Sequence, residues 1–165
     1  MTLTLYTNPR SRGRIARWML EEVGQPYEVR VLDYGTTMKA PDYLAINPMG
    51  KVPAVVRGGQ VVTECAAICT WLADAYPEAG LMPADRAAFY RWMFFGAGPL
   101  EQAVVDRALG VTVPEDKRGM VGYGDFDQVV GVLAAQVDRS PWLCGETFSA
   151  ADVYVGSQVG WGLQF

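Results

Sequence analysis

Histidine is absent from the 165 residues. Without it no Ser-His-Asp or Cys-His nucleophile system can be assembled, and most zinc sites are excluded as well. Cysteine is scarce: Cys65, Cys69 and Cys144 are an odd number, which does not build a disulfide framework. Charged residues make up 19% of the chain, with a formal net charge of −4 and no Lys/Arg run. A mildly acidic chain of this kind gives no electrostatic reason to expect nucleic acid or an anionic membrane as partner. No apolar run reaches the ~18 residues of a membrane span. Met1-Thr2-Leu3-Thr4-Leu5-Tyr6 has neither the basic start nor the long apolar core of a signal peptide. A reduced, cytoplasmic setting is the expectation.

Apolar residues are plentiful at 50%, enough for one sizeable core or two small ones. Leu3 to Thr7 alternates apolar and polar, the period of a half-buried strand. Asn8-Pro9 breaks it. Ile15, Trp18, Met19 and Val23 then recur at helical spacing, and Gly24 is a C-terminal stop. Tyr27 to Leu32 reads as a second strand, Gly35 opens a loop, and Pro41 to Ile46 makes one short helix. Val52 to Val56 is a short apolar strand, with Gly58-Gly59 as hairpin turn and Gln60 to Thr63 as its partner. Ile68, Trp71, Leu72 and Ala75 form a helical stripe that Pro77 ends.

No further strand is expected beyond this point. Residues 1–77 read as one α/β domain, 78–84 as a linker with a proline and a glycine, and 85–165 as an all-helical domain. Phe89, Trp92, Met93 and Leu100 mark a long helix with a bend at Gly96-Ala97-Gly98-Pro99. A glycine-rich loop, 110–124, precedes the stripe Phe126, Val129, Val130, Leu133 and Val137. Ser149 and Asp152 are spaced as a capping box, imperfect because glutamate or glutamine is the usual second member.

Four places carry candidate chemistry. From spacing alone Val52-Pro53 reads as a trans proline at a strand edge; were the bond cis, the Val52 backbone would turn outward and pair an extended peptide. Thr63-Glu64-Cys65 opens a helix directly after a strand. Either Thr63 caps that helix with Glu64 favouring its dipole, or the free N–H groups hold a carboxylate while Glu64 holds an ammonium, the two ends of an amino acid. Ser11 at the start of the first helix either caps it or directs its hydroxyl at a ligand thiolate. Gly13 beside it would let a ligand approach closely. Arg10, Arg12, Arg14 and Arg17 span different helix faces and belong either to the rim of an anion site or to solvent.

The series Leu5-Tyr6, Pro9-Arg10-Ser11-Arg12-Gly13-Arg14, Leu20-Glu21-Glu22-Val23-Gly24, Asn47-Pro48-Met49-Gly50-Lys51-Val52-Pro53 and Glu64-Cys65-Ala66-Ala67-Ile68 resembles the bacterial glutathione transferase family. Phe148 to Val153 extends the likeness, so that it covers nearly the whole chain. The resemblance implies a thioredoxin-like α/β domain followed by an all-α domain, as a homodimer, with glutathione as co-substrate and no metal. It implies that Pro53 is the family's cis-proline and that the Val52 backbone pairs the glutathione cysteinyl unit. Glu64 and Cys65 would hold the γ-glutamyl group. Serine is usual at the second of these, so Cys65 keeps a backbone donor and loses a strong hydroxyl donor. Ser11 would stabilise the glutathione thiolate, with Tyr6 the alternative that other classes use. Lys39 or Lys51 would reach the glycine carboxylate.

The activity so implied is conjugation of glutathione to a small hydrophobic electrophile, held between the domains against Tyr6, Trp92 and Phe95. Two other readings stand beside it. One is a non-catalytic binding or scaffold module, favoured by Cys65 and by a helical half that stops at Phe165 inside its sixth helix, short of the family's further helices. The other is a glutathione-dependent isomerase or reductase; a reductase needs an exposed, low-pKa cysteine at a helix start, where this chain places Ser11.

Overall fold

The computed structural model describes residues 2–164. The chain divides into two compact units, Met1–Leu81 and Met82–Phe165.

In the first unit, β1 (Leu3–Thr7), α1 (Gly13–Val23) and β2 (Tyr27–Val31) form a crossover that pairs β1 and β2 in parallel. A 3-10 turn (Thr37–Lys39) and α2 (Pro41–Leu44) follow. The hairpin β3 (Ala54–Arg57) and β4 (Gln60–Thr63) then leads into α3 (Cys65–Ala75). The sheet order is β2-β1-β3-β4, with β1–β3 and β3–β4 antiparallel. This is a thioredoxin-like domain. Gly24 takes the left-handed conformation at φ 71° and closes α1 through bonds to the Leu20 and Glu21 carbonyls.

Strand alternation decides the two faces. Leu3, Leu5 and Val55 are buried on one side of the sheet, and α1 and α3 pack together with Ile15, Met19, Leu20, Ile68 and Leu72 buried. The other side carries a smaller cluster of Met38, Tyr43 and Ala54, with Tyr6, Leu32, Ile46 and Val52 against it.

The second unit has no strand among its described residues. It contains α4 (Arg86–Phe95), a π-helical turn (Gly96–Leu100), α5 (Glu101–Leu109), α6 (Phe126–Val137) and α7 (Ala150–Gly162). The expected bend at residues 96–99 is that π turn, with Pro99 inside it. The loop 110–124 is not featureless: it holds a 3-10 helix, Glu115–Met120.

Several expectations change. Val52-Pro53 is cis and not the trans edge proline that spacing alone gives, and the third strand begins after it, at Ala54 and not at Val52. Thr63 is not the cap of α3; Glu64 occupies that position. Of the α6 stripe only Val129 is buried, while Val130 and Val137 remain 42% and 57% exposed. Within its unit α6 meets α5 and the π turn. The Ser149–Asp152 box is complete, since aspartate reaches the Ser149 N–H at 2.9 Å. The last helix closes at Gly162, and the expected end inside a helix at Phe165 lies outside the described residues.

Candidate functional site

Sheet register gathers the candidate residues of the first unit. Tyr6, Ala54 and Thr63 lie in one row across β1, β3 and β4. One step beyond that row the chain passes Thr7, Pro53 and Glu64. The loop bearing Ser11, the Val52-Pro53 segment and the Glu64-Cys65 start of α3 therefore emerge at the same end of the sheet.

The ladder ends at Ala54, so the N–H and C=O of Val52 lie beyond it. They make no hydrogen bond among the described residues. Lys51, just before, is fixed by its carbonyl, which accepts from the Tyr43 hydroxyl at 2.6 Å and Asn47 Nδ2 at 2.8 Å. Burial first, then the neighbouring Tyr6, push the Tyr43 phenol up to about 12, against a lowering by Asn47. The exposed Lys39 turns back on its own loop: its ammonium donates to the carbonyls of Gly50 at 2.8 Å and Met49 at 3.3 Å. Tyr6 tilts its ring against Tyr43 with centroids 5.6 Å apart, and its hydroxyl makes no hydrogen bond among the described residues.

Glu64 is the one non-glycine residue at positive φ among those described, at φ 68° and ψ 124°. That region is strained for a side-chain-bearing residue. Its carboxylate is exposed and makes no hydrogen bond or ion pair among the described residues. Glu64 thus sets an unpartnered carboxylate at the entrance of α3, while its carbonyl accepts the Ile68 N–H at 2.8 Å and starts the helix. The half-buried Cys65 follows, its thiol 3.6 Å from the Arg12 carbonyl. This contact sets the N-terminal ends of α3 and α1 beside each other, so the partial positive charges of two helix starts lie close together. Cys69 is fully buried, and burial, with a smaller push from Cys65, raises its thiol well above the ordinary range.

Ser11 lies one residue ahead of the α1 cap position, held by Arg12. Its hydroxyl donates to the Asn8 carbonyl at 2.7 Å and accepts the Gly13 N–H at 2.9 Å. It performs capping work from outside the formal cap. Gly13 does not open space for a ligand, as its position suggested. A Cβ there would overlap the Thr7 hydroxyl and lie 2.9 Å from Ser11 Oγ, so the glycine serves the packing of α1 on β1. Arg10, Arg14 and Arg17 are exposed, and Arg17 pairs with Glu21 at 3.8 Å in solvent.

In the second unit Trp92 is 3% exposed. It meets the half-buried Phe95 edge-on at 5.3 Å, with the Arg91 guanidinium 3.6 Å above the Trp92 ring. Sequence reasoning missed Asn8 and Thr7, both buried and both shaping the Ser11 loop. Their only signal was a polar pair closing an apolar strand. No group of histidine, cysteine, aspartate or glutamate close enough to hold a metal occurs among the described residues, and no helix there is long and apolar enough to cross a membrane.

Residues 11–75 match the glutathione S-transferase N-terminal domain. Glutathione S-transferase GST-4.5 of Xanthomonas campestris is 31% identical over 96% of this chain and 82% of its own. The chain belongs to the glutathione S-transferase family. Disulfide-bond oxidoreductase YfcG of Escherichia coli is 30% identical over 92% of this chain and 76% of its own. Among solved structures, a glutathione transferase homologue from Sulfitobacter with bound glutathione superposes with a TM-score of 0.69. It is 30% identical and covers 99% of this chain and 83% of its own.

Proposed function

We propose that the protein is a glutathione transferase that joins the glutathione sulfur to a hydrophobic electrophile. The observation that carries this reading is the shared row of Tyr6, Ala54 and Thr63, which delivers three complementary pieces to one end of the sheet. The open backbone edge of Val52 suits the cysteinyl unit of the tripeptide. The Glu64 carboxylate suits the γ-glutamyl ammonium, and the N–H groups opening α3, Cys65 first, suit its carboxylate. Lys51 is the better partner for the glycine carboxylate, because the Lys39 ammonium is already engaged by two carbonyls. The cysteinyl sulfur then comes to the start of α1, near Ser11.

A thiol of pKa about 8.5 is only about 3% thiolate at pH 7. Lowering it by about 2 units takes about 2.7 kcal/mol. A helix start supplies about 0.3–1 kcal/mol, and a hydrogen bond to the charge about 1.5–3 kcal/mol. Together they suffice. The Ser11 proton reaches the thiolate by turning from the Asn8 carbonyl, which keeps its bond from the Ser11 N–H at 3.0 Å. Ser11 Oγ keeps the Gly13 N–H meanwhile, and this donor polarises the hydroxyl toward the sulfur. The thiol proton leaves to water. The sulfur lone pair forms the carbon–sulfur bond, and the leaving group departs with its bonding pair.

Greater acidity also weakens the nucleophile, with a Brønsted slope of about 0.4–0.5. About 25-fold more thiolate at pH 7 is offset by roughly 8-fold lower reactivity. Most of the acceleration therefore comes from holding sulfur and electrophile together.

The test is a pH titration of the thiolate absorbance of bound glutathione, alongside thioether formation from an activated aryl halide. A lowered titration with thioether formation supports the transferase. Binding with an unshifted titration and no product points to a binding module. The similarity to a disulfide-bond oxidoreductase favours one second reading, in which the same thiolate attacks a disulfide sulfur and expels a thiolate. Turnover of a mixed disulfide without turnover of the aryl halide would establish it.

A further inference from the structure

We infer that Asn8 is a positioning residue for the thiolate-stabilising hydroxyl, holding Ser11 through both its side chain and its backbone; this rests on the role proposed for Ser11 above.

Asn8 is 4% exposed, directly after β1. Both ends of its amide shape the loop. Asn8 Nδ2 donates to the Leu32 carbonyl at 2.7 Å, across 24 residues, and fixes the loop to the end of β2. Asn8 Oδ1 accepts the Arg10 N–H at 3.0 Å and closes a side-chain turn over Pro9. The Asn8 carbonyl accepts both the Ser11 N–H at 3.0 Å and the Ser11 hydroxyl at 2.7 Å. One residue therefore sets the height of the loop, its turn and the rest position of the hydroxyl.

The surroundings brace the same loop from the β2 side. The Leu32 N–H donates to the Thr7 carbonyl at 2.9 Å, and the Tyr34 hydroxyl reaches the Arg10 carbonyl at 3.4 Å. These contacts hold residues 7 and 10 but leave the Asn8 side chain as the link between Leu32 and the turn itself. A buried primary amide with both ends satisfied is costly to disturb. Aspartate has the right shape but no donor for Leu32, and alanine supplies neither bond. The hydroxyl of Ser11 is useful only if it points where the sulfur sits, and a displacement of about 1 Å removes a hydrogen bond to it.

The test compares wild type, Asn8→Ala and Asn8→Ser by the pH titration of bound glutathione, with glutathione affinity and turnover measured in parallel. Asn8→Ala is expected to lower the thiolate population at neutral pH by about three- to tenfold, with glutathione affinity held within about twofold. Serine still accepts the Arg10 N–H but cannot reach Leu32, so Asn8→Ser should move the titration in the same direction by less. Added to Ser11→Ala, Asn8→Ala should change the titration no further, because it acts through that hydroxyl.

A folded Asn8→Ala protein that titrates like wild type overturns the inference and leaves Asn8 a structural residue. Should Asn8→Ala fail to fold, Asn8→Ser takes its place, and an unshifted titration there overturns the inference equally. A wild-type protein that binds glutathione without lowering its titration overturns the Ser11 role and Asn8's with it, which separates the two failures.

Discussion

The Gly13 N–H donates to Ser11 Oγ at 2.9 Å, so the hydroxyl already serves as an acceptor toward its own helix. Removing it exposes a backbone donor at the same place. Ser11→Ala should therefore lower turnover at pH 7 by only about two- to threefold, because the lost thiolate is largely offset by its greater reactivity and the Gly13 N–H takes over part of the work. Steady-state kinetics with glutathione varied should show the loss mainly in kcat. Thermal unfolding should show a cost of about 0.5–1 kcal/mol from the lost local cap.

Gly13→Ala is a packing test of the same corner. The added Cβ meets the Thr7 hydroxyl, and Thr7 is 6% exposed with little room to move. A loss of about 1–3 kcal/mol is expected in denaturant unfolding. Thr7→Ala removes the overlapping hydroxyl, so the double variant should regain part of that loss. Simple additivity of the two changes would refute the contact.

Glu64 couples backbone strain to a binding role, and two substitutions separate them. Glu64→Gln keeps the φ of 68° and loses the charge. It should leave stability unchanged and weaken glutathione binding by about three- to thirtyfold, a charged hydrogen bond discounted for exposure. Glu64→Gly loses the same carboxylate but relaxes the backbone. It should bind as weakly and gain about 0.5–1 kcal/mol of stability. Calorimetric titration and unfolding measured on both variants decide the matter.

Tyr43 predicts an alkaline limit. Its phenol titrates near 12 in the folded chain, against an ordinary value of 10.0, chiefly because it is buried. The unfolded chain therefore releases this proton first. The stabilisation by the neutral phenol is complete below pH 10 and is lost as pH rises toward 12. Tyr43→Phe should cost about 0.5–1.5 kcal/mol near neutrality, since the Lys51 carbonyl retains Asn47. It should also flatten the fall in stability between those pH values.

Local rules made the order of elements readable. Gly24 and Pro77 end helices where left-handed backbone and a missing N–H demand it, and Gly58-Gly59 turns the hairpin. The same rules explain what stayed hidden. Positive φ selects glycine, so nothing marked Glu64 as the residue that would adopt it. Thr7 meets Gly13 and Asn8 meets Leu32 only once β1, α1 and β2 have packed, and no periodicity encodes such meetings. The resemblance likewise offered Lys39 beside Lys51 as a cation for a ligand, whereas its partners here are carbonyls of the next loop. Charge was legible; the direction in which a long side chain points was not.

Asp152 has a consequence for motion. One carboxylate oxygen accepts the Leu143 N–H at 2.8 Å, and the other accepts from the Ser149 N–H and hydroxyl. The loop before α7 and the first turn of that helix thus share a single fastening. Neither amide can meet solvent unless the fastening opens. In native-state hydrogen exchange Leu143 and Ser149 should slow together, with one common opening free energy, and Asp152→Ala should release both at once while amides in the sheet keep their own pace.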